Sequence, residues 1–169
     1  MLVEQMDLPS VLRITPDVHR DNRGINYMTY HHEKYSFLPE FVEHNIFTAK
    51  RKVLSGIHYS PNCEKLYQCL YGTVSYYFVN CVEDSPQFGM WDRFILHHFD
   101  AHQLYKPKEY GTAFICLSDY AVIQVFQSEY YDANDPNQIT YYYLDKRFNI
   151  DWPILDPILS ERDKCAIKS

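Results

Sequence analysis

The chain has 169 residues, 46% hydrophobic and 22% charged, a balance that excludes global disorder and suits one globular domain. A formal net charge of −6, with Lys50-Arg51-Lys52 as the one short basic cluster, argues against a nucleic-acid binder. No apolar stretch approaches the ~18–20 residues of a membrane-spanning helix, and no basic region followed by an apolar core opens the chain, so a cytoplasmic protein without membrane contact is expected.

Aromatic residues reach 17%, with 16 Tyr and 10 Phe against 5 Gly, and such side chains fit pleated, half-buried surfaces. In chain order, Arg20 to Gly24 is a turn-rich opening, Tyr27 to Tyr30 an aromatic run, and His32 to Leu38 a short helix. From there the pattern predicts strands at Val53–Tyr59, Lys65–Leu70, Thr73–Cys81, Trp91–His98, Gln103–Lys106, Ala113–Leu117, Ala121–Glu129 and Thr140–Leu144. Turn residues recur at a spacing of about 8–12, as in a β-sandwich or barrel. A second short helix is predicted after Ser160, whose side chain suits an N-cap. One domain over 1–169 is expected.

Five cysteines (Cys63, Cys69, Cys81, Cys116 and Cys165) show no C-x-x-C spacing and read as reduced thiols. Among eight histidines, His31-His32 and His97-His98 are adjacent, so on a strand their side chains would point to opposite faces and chelate nothing. His44 and His102 are isolated. His58 stands apart because it sits in the apolar run Val53-Leu54-Ser55-Gly56-Ile57-His58-Tyr59. Alternation places Leu54, Gly56 and His58 on one face, so Gly56 is expected to open room beside the imidazole. Imidazole titrates near neutral pH, which makes His58 either a candidate general base or a buried structural histidine.

An ordered series of motifs carries a family resemblance: Asp21-Asn22-Arg23-Gly24, Phe41-Val42-Glu43-His44-Asn45, Gly56-Ile57-His58-Tyr59, Lys65-Leu66, Gly72-Thr73-Val74, Asp84 to Trp91, Leu117-Ser118-Asp119, Ile150-Asp151-Trp152-Pro153 and Leu159-Ser160 with Asp163. Together they resemble the dTDP-4-dehydrorhamnose 3,5-epimerase family of cupin-fold nucleotide-sugar enzymes. The resemblance implies an all-β, double-stranded β-helix (jelly-roll) barrel with short flanking helices, assembled as a homodimer. It divides the chain into an N-terminal arm (1–40), a barrel (41–150) and a C-terminal tail (151–169). It also implies a metal-independent reaction without a cofactor, in which a base removes a proton from the sugar carbon next to a 4-keto group.

On this resemblance the catalytic residues are His58 as base, Asp163 as its orienting carboxylate and Lys65 beside the developing oxyanion. Substrate-binding residues are Arg23 (supplied to the partner chain), Asn45, Gly56, Tyr59, Thr112 and Tyr130. The sequence departs from the family pattern at four places: Ser55 replaces an Arg, Met28 an acid, Thr112 a second active-site histidine, and Val125 the acid tyrosine. His58 and Lys65 are also only seven positions apart, a short gap similar to that of members acting on GDP-heptoses. The residues leave a dTDP-, GDP- or CDP-linked 4-keto-sugar open as substrate. With Val125 in place of the acid, three activities stay open: epimerisation with Tyr130 or water as donor, keto-sugar isomerisation, and sugar-nucleotide binding without catalysis.

Overall fold

A computed structural model describes residues 1–166. Its strands in chain order are β1 (Leu2–Gln5), β2 (Leu12–Thr15), β3 (Val18–Asp21), β4 (Gly24–Tyr27), β5 (Glu43–Lys50), β6 (Leu54–Tyr59) and β7 (Lys65–Tyr71). They continue with β8 (Thr73–Asn80), β9 (Trp91–His97), β10 (Gln103–Lys106), β11 (Tyr110–Cys116), β12 (Tyr120–Gln127) and β13 (Ile139–Thr140). The one helix among the described residues, α1, is Glu161–Lys164, capped by the Ser160 side chain as its sequence predicts. The fold is all-β.

Two antiparallel sheets face each other, one ordered β1-β2-β10-β7-β12-β5 and the other β13-β6-β11-β8-β9. β3 and β4 form a separate hairpin whose turn is fixed by Asp21 Oδ1 accepting from the Arg23 N–H. β1 and β2 join the six-stranded sheet through β10, so the first part of the stretch read as an arm is built into the barrel wall.

Aromatic side chains fill the interior. Tyr67, Tyr76, Phe78, Phe94, Phe114 and Val125 come from both sheets into one buried cluster, and each fully buried side chain of this size contributes about 1.5–3 kcal/mol. Both outer faces are covered as well. On the five-stranded sheet, Ile57, Tyr77 and Val79 pack beneath Tyr141, Phe148 and Trp152 of the C-terminal segment. On the six-stranded sheet, Ile14, Leu66 and Phe126 pack beneath Tyr35, Leu38 and Phe41. This double coverage explains why β8, Thr-Val-Ser-Tyr-Tyr-Phe-Val-Asn, lacks polar alternation: Tyr76 points into the barrel and Tyr77 out against Trp152.

Three predicted elements differ. His32 to Leu38 forms turns instead of a helix. Pro39 disfavours helical backbone at Leu38 and removes a donor, while burial of Tyr35 and Leu38 holds the turns on the sheet. The expected strand Thr140–Leu144 contracts to β13, because Tyr141 already turns inward to the cluster under Trp152. His97 and His98 have ring centroids 4.6 Å apart rather than on opposite faces, since β9 ends at His97. Residues 167–169 of the predicted tail lie outside the described residues.

Candidate active site

β6 does not alternate simply. Across the β6–β11 ladder Thr112 pairs with His58 but Phe114 pairs with Ser55, so the register slips within the strand. The slip returns Ser55 and His58 to the barrel interior and sends Leu54, Ile57 and Tyr59 toward the outer cluster. The expected face of Leu54, Gly56 and His58 is therefore corrected. Gly56 also has a different purpose from the one expected. Its φ is +115°, and a Cβ there would sit 2.4 Å from the Thr112 carbonyl oxygen and 2.8 Å from Ala113 Cα. Glycine is needed for the close approach of β6 to β11, not to open space beside the imidazole.

His58 lines a cavity of about 470 Å³ between the sheets, within the range of small-ligand sites. Its Nε2 lies 2.6 Å from Asp163 Oδ1, and the Asp163 side chain is 1% exposed. α1 is what brings Asp163 there. Ser160 Oγ accepts from the Asp163 N–H at the helix N-terminus and donates to Asp163 Oδ2 at 2.7 Å. The Gly56 N–H faces Oδ1 at 3.4 Å. Burial pushes the Asp163 carboxyl up, but hydrogen bonds from His58 and Ser160, then attraction to a charged His58 and the Gly56 N–H, outweigh it and leave the pKa lowered. An ionised carboxylate so held fixes one ring nitrogen of His58 as donor and leaves the other with a lone pair.

Lys65, at the start of β7, lines the same cavity. Burial pushes its ammonium down, and no acceptor among the described residues bonds it. Lys106 lies beside it in register on β10. It is 2% exposed and donates to the carbonyls of Cys63, Pro107 and Tyr110 at 3.0, 3.0 and 2.8 Å. Burial, then repulsion from Lys65, pushes Lys106 down to about 7. Three carbonyl acceptors, one for each N–H of an ammonium, act in the opposite direction.

The remaining expected residues divide. Tyr59, Thr112 and Tyr130 line the cavity, Tyr130 at its mouth. Asn45 does not. It sits on edge strand β5, is exposed, and donates to Glu43 Oε1 at 2.6 Å. Arg23 lies outside its own chain's cavity, exposed in the β3–β4 turn and paired with Asp21. Lys106, Arg162, Ser160 and Tyr67 also line the cavity, and sequence reasoning passed over them. Of these, only Ser160 carried a usable signal, its N-cap spacing to Asp163. No three His, Cys, Asp or Glu side chains converge among the described residues.

A jelly-roll barrel holding an imidazole–carboxylate pair inside its cavity has the architecture of the cupin-type sugar epimerases. Comparison with known proteins agrees. The family model described as dTDP-4-dehydrorhamnose 3,5-epimerase matches residues 5–168, and the chain belongs to that family. The dTDP-4-dehydrorhamnose 3,5-epimerase of Salmonella typhimurium is 30% identical over 98% of this chain and 94% of its own. The dTDP-4-dehydrorhamnose 3-epimerase of Streptomyces niveus is 28% identical over 99% of this chain and 83% of its own. Among solved structures, a dTDP-6-deoxy-D-glucose-3,5-epimerase from Legionella pneumophila in complex with dTDP-4-keto-L-rhamnose superposes with a TM-score of 0.90. It is 28% identical and covers 98% of this chain and 90% of that one.

Proposed function

We propose that this chain epimerises a nucleotide-linked 4-keto-sugar at a carbon next to the ketone. The observation that carries the reading is His58 bonded at 2.6 Å to a buried carboxylate inside the barrel cavity. A ketone acidifies the neighbouring C–H. The free nitrogen of His58 takes that proton, and Asp163 stabilises the imidazolium that results. The electron pair left behind forms an enolate, whose oxygen is met by Lys65, an ammonium that no acceptor among the described residues bonds. Lys65, Lys106 and Arg162 give the cavity three basic side chains, which suits an anionic nucleotide diphosphate. The relatives named for dTDP-sugars make a dTDP-linked substrate the first to test, before GDP- and CDP-linked ones. The assembly proposed is a homodimer in which Arg23 of one protomer reaches the nucleotide bound by the other, in the cytoplasm.

Incubation with dTDP-4-keto-6-deoxyglucose in deuterium oxide should place solvent deuterium at the carbon beside the ketone, read by mass spectrometry. His58→Asn should abolish that exchange while nucleotide binding by calorimetry persists. Tight binding with no exchange in the unaltered protein would refute the reading.

A further inference from the structure

Inverting a carbon next to a ketone takes a base on one face and a proton donor on the other. His58 and Thr112 sit opposite each other on β6 and β11 of the five-stranded sheet. The facing wall is the six-stranded sheet, where the β7–β12 ladder pairs Tyr67 with Val125. Side chains of such a pair project to the same face, and both of these line the cavity. The phenol absent at Val125 is therefore present on its cross-strand neighbour. Its hydroxyl reaches across the interior and donates to Thr112 Oγ1 at 3.2 Å, on the strand paired with that of His58.

Other hydroxyls of the cavity are placed less well. Tyr130 and Tyr131 are 74% and 56% exposed at the mouth. Tyr59 packs with the cluster outside the five-stranded sheet. Tyr76 is fully enclosed, its ring 4.6 Å from that of Tyr67 and its hydroxyl without a partner among the described residues. Serine and threonine hydroxyls are much weaker acids than a phenol.

We propose that Tyr67 is the catalytic acid of this chain, a role that rests on the epimerase reading above. Its O–H bond breaks as a C–H bond forms on the enolate face turned away from His58. The enolate C=C pair makes that bond, and the pair on oxygen re-forms the C=O. Tyr67 is left as phenolate and His58 as imidazolium. Water then returns a proton to Tyr67 and accepts one from His58, so the cycle balances. The Thr112 hydroxyl, an acceptor in the resting site, rotates to donate to the phenolate. Burial raises the Tyr67 pKa and keeps the phenol protonated until the enolate forms, while the Thr112 hydrogen bond acts the other way.

The test compares exchange with inversion. Tyr67→Phe, checked for unchanged melting and nucleotide binding, should still exchange the α-proton with deuterium oxide through His58. Its inverted product, followed by NMR, should fall by about 10²–10⁴-fold. Inversion by Tyr67→Phe at the unaltered rate would overturn the assignment alone, as would loss of exchange and inversion in equal measure. An unaltered protein that neither exchanges nor inverts would remove the epimerase reading itself and this role with it.

Discussion

His58 Nε2 and Asp163 Oδ1 meet at 2.6 Å although 105 positions separate them in the chain. The carboxylate does not come from the barrel. It comes from a four-residue helix docked on β6, and its position depends on Ser160 bonding both its amide and its carboxylate. Activity and acid stability are thereby tied to the same few atoms.

Asp163→Asn should keep the volume of the side chain but remove the charge opposite the imidazole. Deuterium exchange is expected to fall by about 10²–10⁴-fold, the usual worth of a positioned acid–base pair. The same variant reports on stability. A carboxyl with a lowered folded-state pKa adds stability above its unfolded value of about 3.9, and that stability is lost as pH falls through the folded value. Thermal melts below about pH 4 should therefore fall more steeply in the unaltered protein than in Asp163→Asn. Parallel slopes would show that folding does not lower the Asp163 pKa.

Ser160→Ala tests the support of that carboxylate. Loss of an N-cap costs about 1 kcal/mol, so a small drop in melting temperature is expected by calorimetry. Exchange should slow further than stability alone accounts for, because Oδ2 loses its hydroxyl donor. Ser160→Thr keeps the hydroxyl and should recover most of the rate. An inactive Thr variant would mean that the hydroxyl is not what matters.

Gly56→Ala should be a strongly damaging single-methyl change in the barrel. The added carbon meets backbone atoms at 2.4 and 2.8 Å, and φ of +115° suits glycine alone. Strain at such a position costs of order 1–3 kcal/mol before the clash is counted. Denaturant unfolding should show a loss of at least that size. A loss well under 1 kcal/mol would indicate that β6 shifts freely from β11.

Much of this was legible from sequence. Turn spacing and the β-branched and aromatic runs located β6 to β12, because each run ends at Gly, Pro, Asn or Asp. β1 to β5 were not picked out as strands. Leu2–Gln5 and Val18–Asp21 are short and largely exposed, so they lack the alternation that marks a half-buried strand. Asp163 was legible from its motif, but the face of His58 was not. A register slip of this kind leaves no trace in hydrophobic alternation, and it reversed the expected neighbours of Gly56. Tyr67 was missed for a related reason. Its importance lies in pairing with Val125, a relation between strands more than fifty residues apart in the sequence.

Lys106→Met addresses the most buried cation of the cavity. Methionine fills a similar volume but donates nothing, so the carbonyls of Cys63, Pro107 and Tyr110 lose their shared donor. Each buried group left unsatisfied costs about 1–3 kcal/mol, offset in part because a buried charge is also removed. We expect a net loss of about 2 kcal/mol in denaturant unfolding. Lys65 is pushed down by burial, with Arg162 as the neighbouring like charge, while Lys106, itself pushed down to about 7, has already lost its proton at alkaline pH. If Lys65 meets the enolate oxygen, the alkaline limb of the exchange rate should therefore stay at unchanged pH in Lys106→Met. A limb that moves to higher pH would show that Lys106 still carries its charge where Lys65 titrates.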